Sequence, residues 1–317
     1  MKKEWLVKTF ALSIVVLFIG AGVVSGFNAN SAYESKPLSS GNWLYVGGSG
    51  EGNYTKIQDA IDNATDGDTV FVYSGTYYEY LRVEKIINLI GENKYTTIID
   101  GDCCHGYCVF LYGDGIKISG FSITNGSKDL TNGDISTGIM AHGNDIVIYD
   151  NFISEYYYGI DRAVRYSNNT IANNIFENNI IGLETYLLSN SKIIGNIFRN
   201  NNRVGLDLAY AGNHFISLNT FKNNLLAVGT FLCENCSFIK NNFIGNIRDV
   251  KSDTLSHKWD GNYWDRQRTL PKIIITKIFG GWIIPPNPMA GFMGIPWFYP
   301  WPKFDWHPAK EPYDIEV

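Results

Sequence analysis

The chain is short of positive charge, short of cysteine, methionine and histidine, and nearly without helical periodicity. Its 26 Lys and Arg stand against 31 Asp and Glu, a net charge of −5, and no stretch gathers the bases into a stripe. That excludes the footprint a nucleic-acid partner would need. Charged residues make up only 18% of the chain while 45% are hydrophobic, so a continuous core is available and disorder is excluded. Nine of the ten prolines lie between Pro271 and Pro312. What is plentiful is Asn, with 32 Gly, 20 Tyr and 18 Phe, a composition that suits short strands joined by tight corners and disfavours an all-α fold.

The N-terminus reads as an export signal. Lys2, Lys3 and Lys8 precede an uncharged apolar run from Thr9 to Phe27, and Val23 and Ser25 supply small residues at a cleavage site. The run is long enough that an uncleaved membrane anchor is the alternative for residues 1–27. In either case the rest of the chain is exported, to a secreted or cell-surface location, and meets a membrane only through this segment. Residues 28–42 are rich in Ser and Asn, contain Pro37, and read as a linker. Beyond it, Ile57, Ala60, Ile61 and Ala64 share one face of a short helix, for which Thr55 and Gln58 form a capping box. A turn at Asp66-Gly-Asp68 follows, then strands over 70–73, 81–83 and 86–90.

Internal repetition organises the remainder. Asn-x-(Phe/Ile) triplets begin at Asn151, Asn174, Asn196, Asn219 and Asn242, at intervals of 23, 22, 23 and 23, and Asn262-Tyr-Trp264 follows after 20. A second landmark runs in phase, at Gly159-Ile160, Gly182-Leu183 and Gly205-Leu206. A period near 23 with short apolar alternation is one coil of a β-solenoid. The expected fold is therefore all-β: a single-stranded right-handed parallel β-helix over residues 43–265, opened by a short capping helix. Neighbouring coils stack about 4.8 Å apart, so Asn151, Asn174, Asn196, Asn219 and Asn242 are expected to form a hydrogen-bonded ladder at a corner. Residues 266–317, with Trp282, Trp297, Trp301 and Trp306 among the prolines, read as a C-terminal cap over the last coil.

The Asn-x-Ile/Phe corner, the Gly-Ile/Leu strand and the closing Asn262-Tyr-Trp-Asp265 resemble the NosD-type β-helix repeat proteins of the pectin-lyase-like superfamily. Ile57-Gln-Asp-Ala-Ile61, Gly67-Asp-Thr-Val70 and Gly75-Thr-Tyr77 are similar to the N-terminal cap and first coil of that group, and Phe304-Asp-Trp-His-Pro308 resembles the C-terminus of its archaeal members. NosD itself is associated with copper-centre maturation of nitrous oxide reductase. The sequence shows no Met/His/Cys array that would hold copper, and His142, His214 and His257 fall on separate coils, so no metal site is expected from them.

Chemistry is suggested by one row. The residue after each Gly-Ile/Leu pair is acidic on three consecutive coils, Asp161, Glu184 and Asp207, again 23 apart. Alternation places them outward on one face. Stacked carboxylates repel unless a cation, a basic partner or protonation relieves them; the resemblance to superfamily members whose facial carboxylates are calcium ligands or acid and base implies calcium as a candidate cofactor of this row. Arg162 and Arg165 are the nearby bases. Tyr158 and Tyr186, with neighbouring tyrosines, are candidate stacking platforms for sugar rings. Lyases and hydrolases of the resembled superfamily place carboxylates on one face in this way. The expected function is non-enzymatic binding of a polysaccharide or other cell-envelope polymer along the lateral face. A lyase or glycosidase using Asp161, Glu184, Asp207 and Arg162 is the enzymatic alternative, and a structural surface protein a third. Among the five cysteines, Cys103, Cys104 and Cys108 lie about five coils from Cys233 and Cys236, on the order of 25 Å. The export route then favours local disulfides, Cys233–Cys236 and one drawn from Cys103 and Cys108. Five sequons, at Asn53, Asn63, Asn125, Asn168 and Asn235, are candidate glycosylation sites.

Overall fold

A computed structural model describes residues 41–103, 106–126, 128, 135–161, 166–210, 212–265, 271–283, 295–315 and 317. The expected signal or anchor, most of the expected linker, Cys104, Arg162 and Arg165 lie outside these, as does the side chain of Cys103.

The chain winds through about nine coils of about 23 residues. Each coil contributes one strand to each of three parallel sheets, of ten, eight and nine strands. One coil shows the pattern: Lys192–Ile194 lies in the first sheet, Ile197–Arg199 in the second and Val204–Ala209 in the third. Strict parallel register carries each position onto its equivalent in the next coil, as Ile193 onto Ile216 and Phe198 onto Phe221. Like therefore stacks on like. The inward rings Phe176, Phe198, Phe221, Phe243 and Trp264 form a column with centroids 4.8, 5.0, 5.1 and 4.3 Å apart and planes within 16° of parallel. The sheet spacing imposes this distance, which suits offset stacking.

Three short strands close into a coil only if the backbone turns sharply three times. At each corner one residue adopts a left-handed conformation and the next turns its side chain inward. At the first corner the left-handed residues are Asp150, Asn173, Gly195, Leu218, Lys240 and Gly261, with φ between 54° and 67°. The residues that follow are Asn151, Asn174, Asn196, Asn219, Asn241 and Asn262, each buried. Asn196 is typical. Its Oδ1 accepts from the backbone N–H and Nδ2 of Asn174, at 2.9 and 3.1 Å, and its Nδ2 donates to Asn219 Oδ1 at 3.0 Å and to the Ile171 carbonyl at 2.8 Å. The ladder is the expected one with a single correction, since Asn241 and not Asn242 carries it on. Asn242 begins a strand instead and bonds the backbone of Tyr313. Left-handed geometry and laddering are divided between consecutive residues. A second ladder of Asn179, Asn201, Asn224 and Asn246 lines the next corner.

Both ends of the helix are closed. The N-terminal helix, Ile57–Asn63, buries Ile57, Ala60 and Ile61 against the first coils. No side chain at its start makes a cap bond, so the expected box of Thr55 and Gln58 does not form. The carboxylate of Glu79, a coil later, accepts from the N–H of Ile57 at 2.9 Å and of Gln58 at 3.0 Å, satisfying the helix's first donors with charge of the favourable sign. The last linker residue, Asn42, is already tied to the first coil, donating its N–H to Asp68 at 2.7 Å. The strands expected over 70–73 and 86–90 occur at Thr69–Val72 and Asn88–Gly91, while Leu81–Val83 is as expected.

The C-terminal extension contains an antiparallel pair, Lys272–Ile283 with Ile295–Asp305. Asp305 ends the first ladder. Its carboxylate, 0% exposed, accepts from the N–H groups of Gly261 and Asn262, from Asn262 Nδ2 and from Trp264 Nε1, at 2.9 to 3.1 Å.

Two comparisons test this account. Replacing Asn241 by Ala leaves buried donors of Asn219 unanswered and is expected to lower the unfolding free energy by about 3 kcal/mol, against about 1 kcal/mol for Asn242→Ala. Glu79→Ala is expected to cost about 1 to 2 kcal/mol and Thr55→Ala under about 0.5 kcal/mol. Urea unfolding followed by circular dichroism measures all four.

Candidate functional site

The third sheet has the longest strands of the β-helix wall, six residues in Tyr107–Tyr112, Thr137–His142, Ile181–Tyr186, Val204–Ala209 and Leu226–Phe231. It therefore presents the widest outer face. Register brings the three predicted carboxylates together: Ile160 pairs with Leu183, setting Asp161 beside Glu184, and Glu184 pairs with Asp207. The same row runs through Arg82, Phe110 and Met140 before Asp161, and through Gly229 and Lys251 after Asp207. Cations thus stand at the two ends of the row and acids in its middle.

The carboxylates are less open than strand alternation alone implies. Asp161 is 8% exposed, and Glu184 and Asp207 are half-buried. Burial pushes the Asp207 carboxyl above the usual range, and the neighbouring Glu184 charge adds to this, while Arg203 and Lys251 oppose it. Across the third coil-to-coil step the bare glycine Gly229 faces Asp207, and a Cβ there would come 2.8 Å from the carboxylate.

Beside the acids runs a row of rings. Tyr186 pairs in register with Ala209, and Ala209 with Phe231. Tyr186 and Tyr210 meet edge to face at 5.1 Å, and Tyr210 and Phe231 at 5.2 Å. Tyr210 is 42% and Phe231 50% exposed. Tyr158 does not belong to this platform. It is buried in a small cluster with Ile181 and Val204, because parallel register stacks these three residues on successive coils. Phe231 was missed in the sequence because its coil carries Val228-Gly229 in place of Gly-Ile/Leu. Counting 22 from Ala209 finds it.

The third corner differs from the others. Its inward positions are Asn169, Ser191, His214, Cys236 and His257, each following at 21 to 23 residues. Asn169 Oδ1 accepts from the Ile146 N–H, Ser191 Oγ from that of Asn169, His214 Nδ1 from that of Ser191 and His257 Nδ1 from that of Cys236. The histidines, unrelated in the sequence reading, thus flank one cysteine in a column. The sulfurs of Cys233 and Cys236 lie 3.2 Å apart, in contact and not bonded, so the expected disulfide is held here as two thiols. The distance exceeds the roughly 2.05 Å of an S–S bond. Cys108 is likewise a thiol, 3.9 Å from the Glu79 carbonyl. Of the sequons, Asn63, Asn125, Asn168 and Asn235 are exposed, and Asn53 is half-buried with its amide bonded to the Gly47 carbonyl.

Residues 61–281 match the family described as "Periplasmic copper-binding protein (NosD)". The chain belongs to the NosD family. No curated protein sequence matches it. Among solved structures, pectate lyase Pel9A aligns at TM-score 0.54 and 13% identity over 72% of this chain and 68% of its own. The DFA-IIIase of Arthrobacter chlorophenolicus A6 aligns at 0.55 and 11% over 71% and 67%, and the GH136 lacto-N-biosidase of Eubacterium ramulus at 0.53 and 11% over 70% and 54%. At such identities they establish the pectate-lyase-like β-helix fold. No helix among the described residues is long and apolar enough to cross a membrane.

The family description makes copper the metal to test. Among the described residues no three His, Cys, Asp or Glu side chains are grouped so that they could hold an ion, the acidic row included, which removes the support for calcium there. The nearest approach to a soft-metal donor set in this NosD-family chain is His214, Cys236, His257 and Cys233. A coordinating imidazole offers one nitrogen to the metal and donates from the other. Here Nδ1 of each ring accepts a backbone N–H, so the neutral ring carries its proton on Nε2, which is buried without a hydrogen-bond partner. The donor set does not fit copper.

Because the fold raises the Asp207 pKa, its charged form costs stability once pH exceeds the unfolded value of about 3.9. The full cost applies above the folded pKa and disappears below the unfolded one. Asp207→Asn is therefore expected to melt higher than the parent at pH 7, with the difference vanishing below about pH 3.5; differential scanning calorimetry across this range checks it.

Proposed function

We propose that this NosD-family chain is an exported β-helix that binds a carbohydrate or similar hydroxyl-rich cell-envelope polymer along the outer face of its third sheet. The observation that carries the proposal is the register of Asp161, Glu184 and Asp207 on successive coils beside the rings of Tyr186, Tyr210 and Phe231. The half-buried carboxylates of Glu184 and Asp207 offer acceptors to adjacent hydroxyls of a sugar, with the more deeply buried Asp161 extending the acidic row. Exposed rings at about one coil spacing offer apolar faces to the C–H surfaces of successive units. A repeating ligand suits a repeating wall, since every added coil adds an equivalent contact. The run from Thr9 to Phe27 and the periplasmic description of the family support export, the sequons at exposed Asn63, Asn125, Asn168 and Asn235 are the sites where glycans would attach, and the C-terminal Phe304–Pro308 segment supports an archaeal type.

The enzymatic reading has one specific observation in its favour. A carboxyl raised by burial and by a neighbouring acid is what a general acid requires, and Asp207 is such a group.

Affinity electrophoresis through neutral and acidic polysaccharides, with and without calcium, tests the proposal. The triple variant Asp161→Asn, Glu184→Gln, Asp207→Asn is expected to weaken binding at least about 10-fold, the loss of roughly 1.4 kcal/mol of polar contact, with an unchanged circular dichroism spectrum. Retention equal to the parent on every polymer overturns the site. Release of reducing or unsaturated ends that Asp207→Asn abolishes replaces binding by catalysis.

A further inference from the structure

The third-corner column supplies an inference independent of polymer binding. In the two Asn ladders each inward residue both accepts from the coil before and donates to the coil after. At the third corner this neutral pattern gives way, over the last coils, to His214, Cys236 and His257. Cys236 passes the column on through its backbone N–H, which donates to His257 Nδ1 at 3.3 Å. Its sulfur lies 3.5 Å from the Glu234 carbonyl and contacts that of Cys233, three residues earlier on the same turn, at 3.2 Å, with both cysteines 0% exposed. We propose that Cys233 and Cys236 form a redox-active dithiol/disulfide couple in which Cys236 is the attacking sulfur.

Three features of the corner point this way. The Cys-Glu-Asn-Cys spacing already brings the sulfurs within about 1.2 Å of bonding distance, so closure needs a rotation of side chains and leaves the coil in place. The hydrogen bond from the Cys233 thiol outweighs burial, which acts the other way, and holds the Cys236 pKa below the ordinary thiol value. Access comes from the turn itself. Leu232 and Asn235 sit at φ 47° and 54°, Leu232 is 55% exposed, and Glu234 between the cysteines is also exposed. A left-handed leucine on the surface is strained. The turn lies between the strands Leu226–Phe231 and Ser237–Ile239, so uncovering the sulfurs breaks the bonds of Leu232 to Asp253 and of Asn235 to Ser256 and leaves both strands paired. The gain in chain entropy from closing so small a loop is slight compared with a long one, so the pair suits exchange better than stapling.

The co-reactant is a small-molecule disulfide of the glutathione type. The Cys236 thiolate attacks one of its sulfurs, the S–S bond breaks, and one thiolate leaves. Cys233, losing its proton to solvent, then attacks the Cys236 sulfur of the mixed disulfide and displaces the second thiolate. Two protein thiols are oxidised and one small disulfide is reduced to two thiols. The reverse reaction regenerates the dithiol.

The test equilibrates the full chain in glutathione buffers of graded potential, quenches with acid, alkylates, and maps peptides by mass. Expected is a reversible loss of two hydrogens on the peptide that contains Cys233 and Cys236. Cys233→Ser is expected to trap a glutathione adduct on Cys236, and Cys236→Ser to slow adduct formation at least about 10-fold. The proposal is overturned if both thiols stay reduced in oxidising buffer while alkylating freely after denaturation. It is overturned equally if the adduct forms faster on Cys233, if either cysteine pairs with one from residues 103–108, or if the untreated chain holds stoichiometric zinc or copper that Cys236→Ser releases. The titration of the unsubstituted chain decides the matter even if a variant fails to fold.

Discussion

Every coil of this protein must bury three sharp turns, and a buried turn leaves backbone N–H groups that water cannot reach. An inward Asn answers them at two of the three corners of the later coils. Its Oδ1 accepts from the coil before and its Nδ2 donates to the coil after and to nearby carbonyls, so each amide is satisfied only if its neighbours are present. A column of this kind propagates without limit and needs its ends treated. At the first end the Phe121 N–H donates to Asn151 Oδ1. At the other, Asn262 requires acceptors and no donor. Asp305, a group that only accepts when ionised, supplies them from the C-terminal extension. The cap is therefore chemically part of the ladder and not merely a cover.

Strict register is what this constraint produces, and the outer surface inherits it. Once coil stacking is fixed by the inner columns, whatever the outward positions carry is also brought into line. Three acids become a row and Tyr186, Tyr210 and Phe231 a neighbouring strip, with Arg82 and Lys251 at the far ends. The cost of aligning like charges falls on the carboxylates themselves, most visibly on Asp207. The third corner shows the reverse freedom. There the column holds fewer Asn, and the positions that elsewhere only satisfy backbone carry imidazole and thiol.

The membership in a family described as copper-binding and the likeness to lyase and hydrolase structures pull functional inference in different directions. The tautomers enforced at His214 and His257 and the contact between the two sulfurs argue against copper at that corner. The alignments with Pel9A and the other solved structures support a scaffold. The polymer-binding proposal rests on the placement of this chain's own side chains.

The period of about 23, the β-helix, the closing helix and the alignment of Asp161, Glu184 and Asp207 were legible in the sequence, because parallel stacking converts a sequence interval directly into a spatial row. What periodicity could not resolve was anything set by a neighbour outside the repeat. Only the tertiary structure chose Asn241 over Asn242, since consecutive Asn satisfy a spacing rule equally and the position of the left-handed Lys240 decides which turns inward. It likewise replaced the local box of Thr55 by Glu79 and buried Tyr158. It assembled His214, Cys236 and His257 into one column, although each had seemed solitary, because the third corner repeats a place in the coil and not a residue type. The sequence by itself determined the wall and its rows. Which side chains are covered, which end the ladders and which sulfurs meet depended on contacts between coils and cap, where burial and hydrogen-bond satisfaction choose among residues that a repeat treats as equal.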